Sequence, residues 1–251
     1  VTPDQLRDAM RSDTILVSLM AVNNELGCIH DLAGLSEVAH AGGALFHVDA
    51  AQAVGRIPLD VATLGIDLMS LSGHKVYGPK GVGVLYVKRS PDIRLAPLIH
   101  GGGHERGMRS GTLPTHQIAG MGEAFALAAQ EGESDQTRIL ALRNRLLDGL
   151  LNLDGIHRNT VVDVSVPNIL NLAFEGVDGE SLLMALRNIA LSTGSACNSA
   201  SVEPSYVLKG IGVPRPLALA SLRFSFGRFT TEADIDRTLD ALQHALPGLR
   251  R

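Results

Sequence analysis

The sequence predicts an α/β fold built on a mainly parallel β-sheet. Short apolar runs at residues 14–20, 44–48, 66–71 and 82–87 are typical of buried strands. Residues 31–41 carry apolar side chains at helical spacing, and two glycines follow them as a stop signal. This alternation of strands and helices favours a sheet that is covered by helices.

The second half of the chain has a different pattern. A long helical stretch over residues 114–151 is followed by only two strand-like runs, at 169–174 and 221–226, and by helical segments at 179–188 and 231–246. We therefore predict a domain change near residue 115. Residues 1–115 would belong to a larger α/β domain, and residues 116–251 would form linking helices and a smaller α+β domain.

Composition excludes several classes of function. The chain has 251 residues, a net charge of −4 and two cysteines far apart in sequence. Nothing in this charge favours nucleic acid as a direct partner, no apolar run is long enough to cross a bilayer, and two distant cysteines do not make a disulfide framework. We expect a protein of a reducing compartment, the cytoplasm.

Two predicted strands end in residues that are suited to chemistry. The segment Ser-Gly-His-Lys at 72–75 follows one strand directly, in the kind of loop where open α/β sheets bind ligands. The amine of Lys75 is able to form a Schiff base there, although most such lysines are plain surface residues. Asp49 ends another strand, where a buried carboxylate needs a positive partner such as a protonated pyridine nitrogen; capping a helix is the alternative. Gln52 lies one turn further on.

The two cysteines have different surroundings. Cys197 lies in a stretch rich in Ser, Gly and Asn, which predicts an exposed loop and a reactive thiol. Cys28 stands between Gly27 and Ile29 near a strand end, and we interpret it as structural.

Other polar residues suggest binding sites. Arg223 lies inside the strand pattern 221–226, and a buried Arg needs an anion, either a ligand carboxylate or an internal acidic side chain. Asn24 follows the first strand and offers an amide at the same sheet edge, or forms an ordinary turn. His100 and His104 are separated by glycines and do not form a helical pair of ligands, so we predict no permanent metal site.

Four motifs in this order resemble those of the cysteine desulfurases of iron–sulfur cluster assembly and nitrogen fixation. They are Ser-Gly-His-Lys at 72–75, His-Val-Asp-Ala-Ala-Gln at 47–52, the glycine-rich segment 100–112, and Ser-Thr-Gly-Ser-Ala-Cys at 192–197. This family consists of enzymes of fold type I that depend on pyridoxal phosphate (PLP), within the class-V aminotransferases. The resemblance implies that residues 1–115 are the remainder of the large PLP-binding domain, and that the small domain carries the cysteine loop.

The resemblance implies five residues for the cofactor. Lys75 would hold PLP as a Schiff base and later move protons. Asp49 would pair with the ring nitrogen, and Gln52 would bond the ring oxygen. Ser72 and His74 would hold the phosphate, and His74 also counts among the catalytic residues.

Four more residues would serve the neighbouring subunit and the substrate. Thr112 would reach the phosphate in the other subunit of a homodimer. Asn24 would contact the cofactor and, with Arg223, orient the carboxylate of L-cysteine. Cys197 would attack the substrate sulfur and become a persulfide.

The resemblance also implies partners and leaves alternatives. An iron–sulfur scaffold protein and other sulfur acceptors, including those of tRNA thiolation, would receive the sulfur, with Cys197 as a possible transient ligand of an iron–sulfur cluster. The family pattern includes a phosphate loop and a ring-stacking His before the position of Val1, so we expect an N-terminal portion to be missing here. Another fold-type I enzyme, such as a selenocysteine lyase or an aminotransferase, or an inactive fragment, remains an alternative.

Overall fold

The chain forms two compact units in a computed structural model, which describes residues 1–150, 153–193 and 203–250. The first unit comprises Val1–Ala21 and His30–Gly132, and the second comprises Val22–Ile29 and Glu133–Arg251. The second unit is therefore discontinuous in sequence. The predicted change near residue 115 coincides with the beginning of a long helix, and as a statement about domains it stays a prediction.

The first unit is built on a four-stranded sheet in the order β1-β2-β3-β4. Three strands run parallel, and the fourth is antiparallel to β3. The strands are β1 (Leu16–Met20), β2 (Leu45–Asp49), β3 (Leu68–Ser72) and β4 (Gly83–Val87). The predicted α/β fold with a mainly parallel sheet is confirmed.

Three helices belong wholly or partly to this unit. Helix α1 (Pro3–Ala9) begins with a capping box between Thr2 and Gln5. Helix α2 (Leu32–Ala41) is capped by Asp31 and buries the apolar face that its spacing predicted. Helix α3 (Thr115–Leu150) is 36 residues long, and the division between the units falls inside it.

A buried carboxylate ties the amino-terminal side of this sheet together. The side chain of Asp67 accepts hydrogen bonds from Phe46 N at 2.9 Å, His40 Nε2 at 2.8 Å and Lys88 Nζ at 3.1 Å. Burial by itself would raise the pKa of Asp67, but these bonds more than offset that effect and hold the pKa below its ordinary value. Asp67 thus links α2, β2 and the end of β4.

The second unit contains an antiparallel sheet in the order β5-β6-β7, formed by Ile156–Arg158, Ile169–Phe174 and Ser221–Ser225. Every residue of β6 is buried, because this central strand is covered on both faces. Its core also takes residues from α3 and from α7 (Glu232–Leu249), which begins with the predicted capping box of Thr231 and Asp234.

Three short helices lie in the described part of the second unit: α4 (Gly179–Ala185), α5 (Tyr206–Gly210) and α6 (Arg215–Leu219). The sequence did not predict α5, α6 or strand β5. With three to five residues each, they are too short to show a hydrophobic period.

Candidate active site

Two residues of the predicted site end neighbouring parallel strands. Asp49 is the last residue of β2, and Ser72 is the last residue of β3. Since β2 and β3 run parallel, with Asp49 opposite Ser70, both strands open at the same edge of the sheet. This is the edge at which α/β sheets bind ligands.

Lys75 lies in a 3₁₀ turn, Gly73–Val76, that follows β3 directly. Lys75 and His74 are exposed, and Ser72 Oγ lies 3.0 Å from His74 Nδ1. Tyr77 ends the turn in the left-handed region with φ of 66°. The structure thus brings the predicted amine and two predicted phosphate ligands onto one short segment.

Gly73 fixes this turn by packing. A methyl group at Gly73 would lie 3.1 Å from Pro79 O and 3.2 Å from both Met121 Cγ and Val82 Cγ1. The carbonyl of Gly73 accepts from Gly78 N at 2.9 Å. A side chain at this position would be tightly confined and its neighbours would have to move, so the backbone that carries Lys75 is closely packed.

Asp49 does not cap a helix. Its carboxylate accepts from Ala51 N at 2.9 Å, and residues 51–56 form turns. The expectation that its strand end is buried was wrong: β2 alternates, so Phe46 and Val48 are buried while Asp49 is exposed. Gln52 accepts a hydrogen bond at Oε1 from Arg56 Nη1. Asp49 forms no ion pair within the described ranges, and its carboxylate is available to a cation.

The glycine-rich segment 100–112 has an unusual backbone. Six of its residues have positive φ, including Glu105 at 49° and Arg106 at 57°. Backbone amides bond side chains inside the segment, from Gly111 N to His104 Nδ1 and from Gly103 N to Ser110 Oγ, both at 3.3 Å. Thr112 follows these turns and is exposed.

Asn24 and Arg223 meet in the second unit. Arg223, on β7, is half-buried and donates from Nη1 to the carbonyl of Asn24 at 2.9 Å. Its Nε is buried and has no hydrogen-bond partner in the part of the chain that is described. Burial lowers the pKa of Arg223, and the charge of Glu25 opposes this effect. An arginine with an unmatched donor is suited to bind an anion.

Glu25 is a residue that the sequence reasoning missed. It is 1% exposed, and its carboxylate accepts from Ser205 Oγ at 2.5 Å. A charged residue placed between Val22 and Leu26, both apolar, was a usable signal, because a buried carboxylate requires a partner.

Cys197 lies outside the described residues, and its role stays a prediction. Earlier in the sequence, Ser192 O accepts from Arg223 N at 2.7 Å. Later in the sequence, Ser205 contacts Glu25. Cys28 is half-buried, and burial raises the pKa of its thiol, which reduces the thiolate fraction at neutral pH.

Metal-binding clusters and membrane-spanning helices are both absent from the described ranges. No cluster of three or more His, Cys, Asp or Glu side chains there is arranged to hold a metal ion. No helix in those ranges is long and apolar enough to span a membrane.

The fold is that of the fold-type I class of PLP-binding proteins. The chain belongs to the class-V aminotransferase family, whose model matches residues 1–238. Members of this family depend on PLP.

Known proteins cover nearly all of the chain. This chain is 55% identical over 246 residues to the cysteine desulfurase IscS of Klebsiella pneumoniae, and the match covers 98% of this chain and 61% of that relative. A solved structure described as a NifS-like protein is similar with a TM-score of 0.89 and 35% identity, over 99% of this chain and 66% of that one. A structure described as SspA in complex with cysteine has a TM-score of 0.75 and 35% identity, over 92% of this chain and 64% of that one. The chain thus spans about three fifths of the length of the curated relatives.

Proposed function

We propose that this chain is part of a PLP-dependent cysteine desulfurase, which converts L-cysteine to L-alanine and transfers the sulfur as an enzyme persulfide. The observation that carries the proposal is the placement of Asp49 and Lys75 at the ends of adjacent parallel strands. The curated relatives named cysteine desulfurase IscS support the choice of substrate.

The residues at this sheet edge fit PLP chemically. Lys75 offers an exposed amine for the aldehyde, and Asp49 offers an unpaired carboxylate for a protonated ring nitrogen. Ser72 and His74 supply donors for the phosphate, with Thr112 serving the partner subunit of a homodimer. The amide N–H of Gln52 would donate to the ring oxygen, while its Oε1 accepts from Arg56 Nη1. When bound, PLP supplies the electron sink that makes cleavage of the substrate C–S bond accessible.

Arg223 receives the α-carboxylate of L-cysteine. Its Nη1 is held by the carbonyl of Asn24, so the guanidinium has a fixed orientation, while its Nε has no partner in the described ranges. A carboxylate satisfies that donor and replaces part of the hydration that burial removes. The side-chain amide of Asn24 assists at the same position.

Cys197 then accepts the sulfur. Its thiolate attacks the sulfur of the substrate, the S–S bond forms as the C–S bond breaks, and the carbon gains a proton to give alanine. No external oxidant or reductant is needed, because the substrate carbon is reduced as the transferred sulfur is oxidised to the persulfide level. Lys75 would act as the base and acid that moves protons at the substrate carbon.

The persulfide is passed to partner proteins in the cytoplasm. We assign an iron–sulfur scaffold protein and the acceptors of tRNA thiolation as receivers, with Cys197 as a transient ligand while a cluster is assembled. The resemblance in the segment 192–206 and the IscS relatives support this assignment.

Product analysis of the holoenzyme tests the proposal. With L-cysteine as the sole substrate, we expect one alanine for each sulfur recovered as persulfide or sulfide. Formation of a keto acid in place of alanine would instead indicate an aminotransferase. Turnover of selenocysteine without turnover of cysteine would indicate a selenocysteine lyase.

A further inference from the structure

Glu25 is a buried acidic residue that the proposed reaction does not use. Its side chain is 1% exposed, and the turn that carries it is tightly held. Asn23 Oδ1 accepts from the backbone amides of Glu25 and Leu26 at 2.9 and 2.8 Å. Thr160 Oγ1 donates to Leu26 O at 2.9 Å. Glu25 therefore has little freedom to move towards water.

The carboxylate of Glu25 has a fixed direction as well as a fixed position. Ser205 Oγ donates to it at 2.5 Å, and the same hydroxyl caps α5 by accepting from Val207 N at 3.1 Å. Leu208 of that helix is fully buried against Leu26. The contact with Ser205 is thus supported from both sides.

The charge of Glu25 acts on Arg223. Asn24, whose carbonyl binds the guanidinium, is adjacent to Glu25 in the same turn. Among the described side chains, the charge that stabilises the cationic form of Arg223 is that of Glu25. Burial lowers the pKa of Arg223, and the charge of Glu25 in the adjoining turn opposes that effect before any ligand arrives.

We propose that Glu25 is the internal counter-ion of Arg223, and that it limits how tightly Arg223 holds the α-carboxylate of substrate and product. This inference rests on the proposed function. L-Cysteine and L-alanine carry the same carboxylate, so an unbalanced buried arginine would retain the product as strongly as it binds the substrate. A fixed negative charge beside the arginine weakens both interactions and favours release of alanine. Glu25 is in this sense a positioning and tuning residue, not a catalytic one.

The proposal makes a prediction with a definite sign. Glu25→Gln keeps the volume of the side chain and an acceptor for Ser205, and removes only the charge. The attraction between Arg223 and a ligand carboxylate then increases. We expect L-alanine to inhibit the Glu25→Gln holoenzyme about tenfold more tightly than the wild type, about 1.4 kcal/mol. A residue with a merely structural role would leave the inhibition constant unchanged or raise it.

A ligand without a carboxylate distinguishes an effect of charge from a general increase in ligand affinity. Cysteamine has the amine and thiol of cysteine and no carboxylate, so its affinity for Glu25→Gln is expected to match that for the wild type. Glu25→Asp keeps the charge and is expected to restore the inhibition constant of L-alanine to within about twofold of the wild type. Glu175→Gln, which removes an exposed charge that pairs with His157, is the matched control and should have no effect.

Several results would overturn the proposal. They are unchanged or weaker inhibition of Glu25→Gln by L-alanine, an equal gain for cysteamine, or a Glu25→Asp variant that behaves like Glu25→Gln. Equilibrium dialysis of L-alanine gives the same comparison as a dissociation constant, without turnover, so the two proposals can be separated. A wild type that does not convert cysteine, with Glu25→Gln still tighter for L-alanine, would end the desulfurase proposal and leave the counter-ion role standing.

Discussion

Gly73→Ala is the substitution that best tests how the turn of Lys75 is held. The new methyl group would lie 3.1–3.2 Å from Pro79 O, Met121 Cγ and Val82 Cγ1. Pro79 O is a backbone atom, and Met121 Cγ and Val82 Cγ1 belong to side chains that pack against the turn. Several small shifts are therefore needed to relieve these close contacts. Overpacking of this kind costs about 1–3 kcal/mol in the free energy of unfolding.

A second glycine in the same unit provides the control. Gly122 lies inside helix α3, and a methyl group added there meets nothing within 4 Å. Gly122→Ala is expected to stabilise the protein by about 0.5–1 kcal/mol, because alanine loses less backbone entropy in a helix. The same substitution is thus expected to lower the free energy of unfolding at residue 73 and to raise it at residue 122.

Two assays on the holoenzyme measure these effects. Denaturant unfolding gives the free energies of both variants. Alanine formation from cysteine reports on Lys75, because a shift of the turn by a fraction of an ångström is enough to lower the rate, and a displacement of 1 Å can cost about 10²-fold. A Gly73→Ala variant that is as stable and as active as Gly122→Ala would refute the argument that packing at residue 73 positions Lys75.

Three further predictions follow from the sites described above. Lys75→Ala in the holoenzyme should abolish the visible absorbance of lysine-bound PLP and its loss on treatment with borohydride; a chromophore that survives unchanged would contradict the assignment. Cys197→Ser should still bind PLP and cysteine but lose sulfur transfer, whereas Cys28→Ser should retain it, and mass spectrometry after a pulse of cysteine should find the added sulfur on Cys197. Asp67→Asn should lower the free energy of unfolding by about 2 kcal/mol through weakened charge-assisted bonds. Because the folded pKa of Asp67 lies below its unfolded value, its contribution is present above about pH 4 and is lost as the pH falls through the folded pKa. Denaturant unfolding of Asp67→Asn should therefore depend less on acid pH than that of the wild type, and an equal dependence would be inconsistent with this role.

The strands and long helices of this chain were predictable because their signals are local. Strand β6 was predicted with its observed bounds from its apolar run, and α2 was predicted to within one residue of its start from Asp31 and the two glycines that follow it. Strand β5 was missed because three residues carry no period. The assignment of residues 22–29 to the second unit was also missed, since it depends on contacts made far along the chain.

The candidate site shows the same division. Ser72 and Lys75 were identifiable because a strand and its following loop are adjacent in sequence. The exposure of Asp49 was predicted wrongly, because the apolar run 44–48 predicts a strand but does not show on which face of the sheet the next residue lies. The apolar neighbours of Glu25 were a usable signal of its burial, but its partner is visible only in three dimensions, where Ser205, 180 residues further along the chain, donates to it.

The discontinuity of the second unit has a consequence for folding during synthesis. Residues 22–29 leave the ribosome well before the residues that bind them: Thr160 bonds Leu26 across 134 residues and Arg223 bonds Asn24 across 199. Until those residues emerge, Leu26 lacks the neighbours that bury it, and the turn remains accessible to chaperones and proteases. Closing loops of this length is slow, and folding that depends on such distant contacts is correspondingly late. Completion of the second unit therefore waits until Arg223 has been made, so a ribosome stalled before residue 223 would hold a nascent protein in which Asn24 lacks this partner.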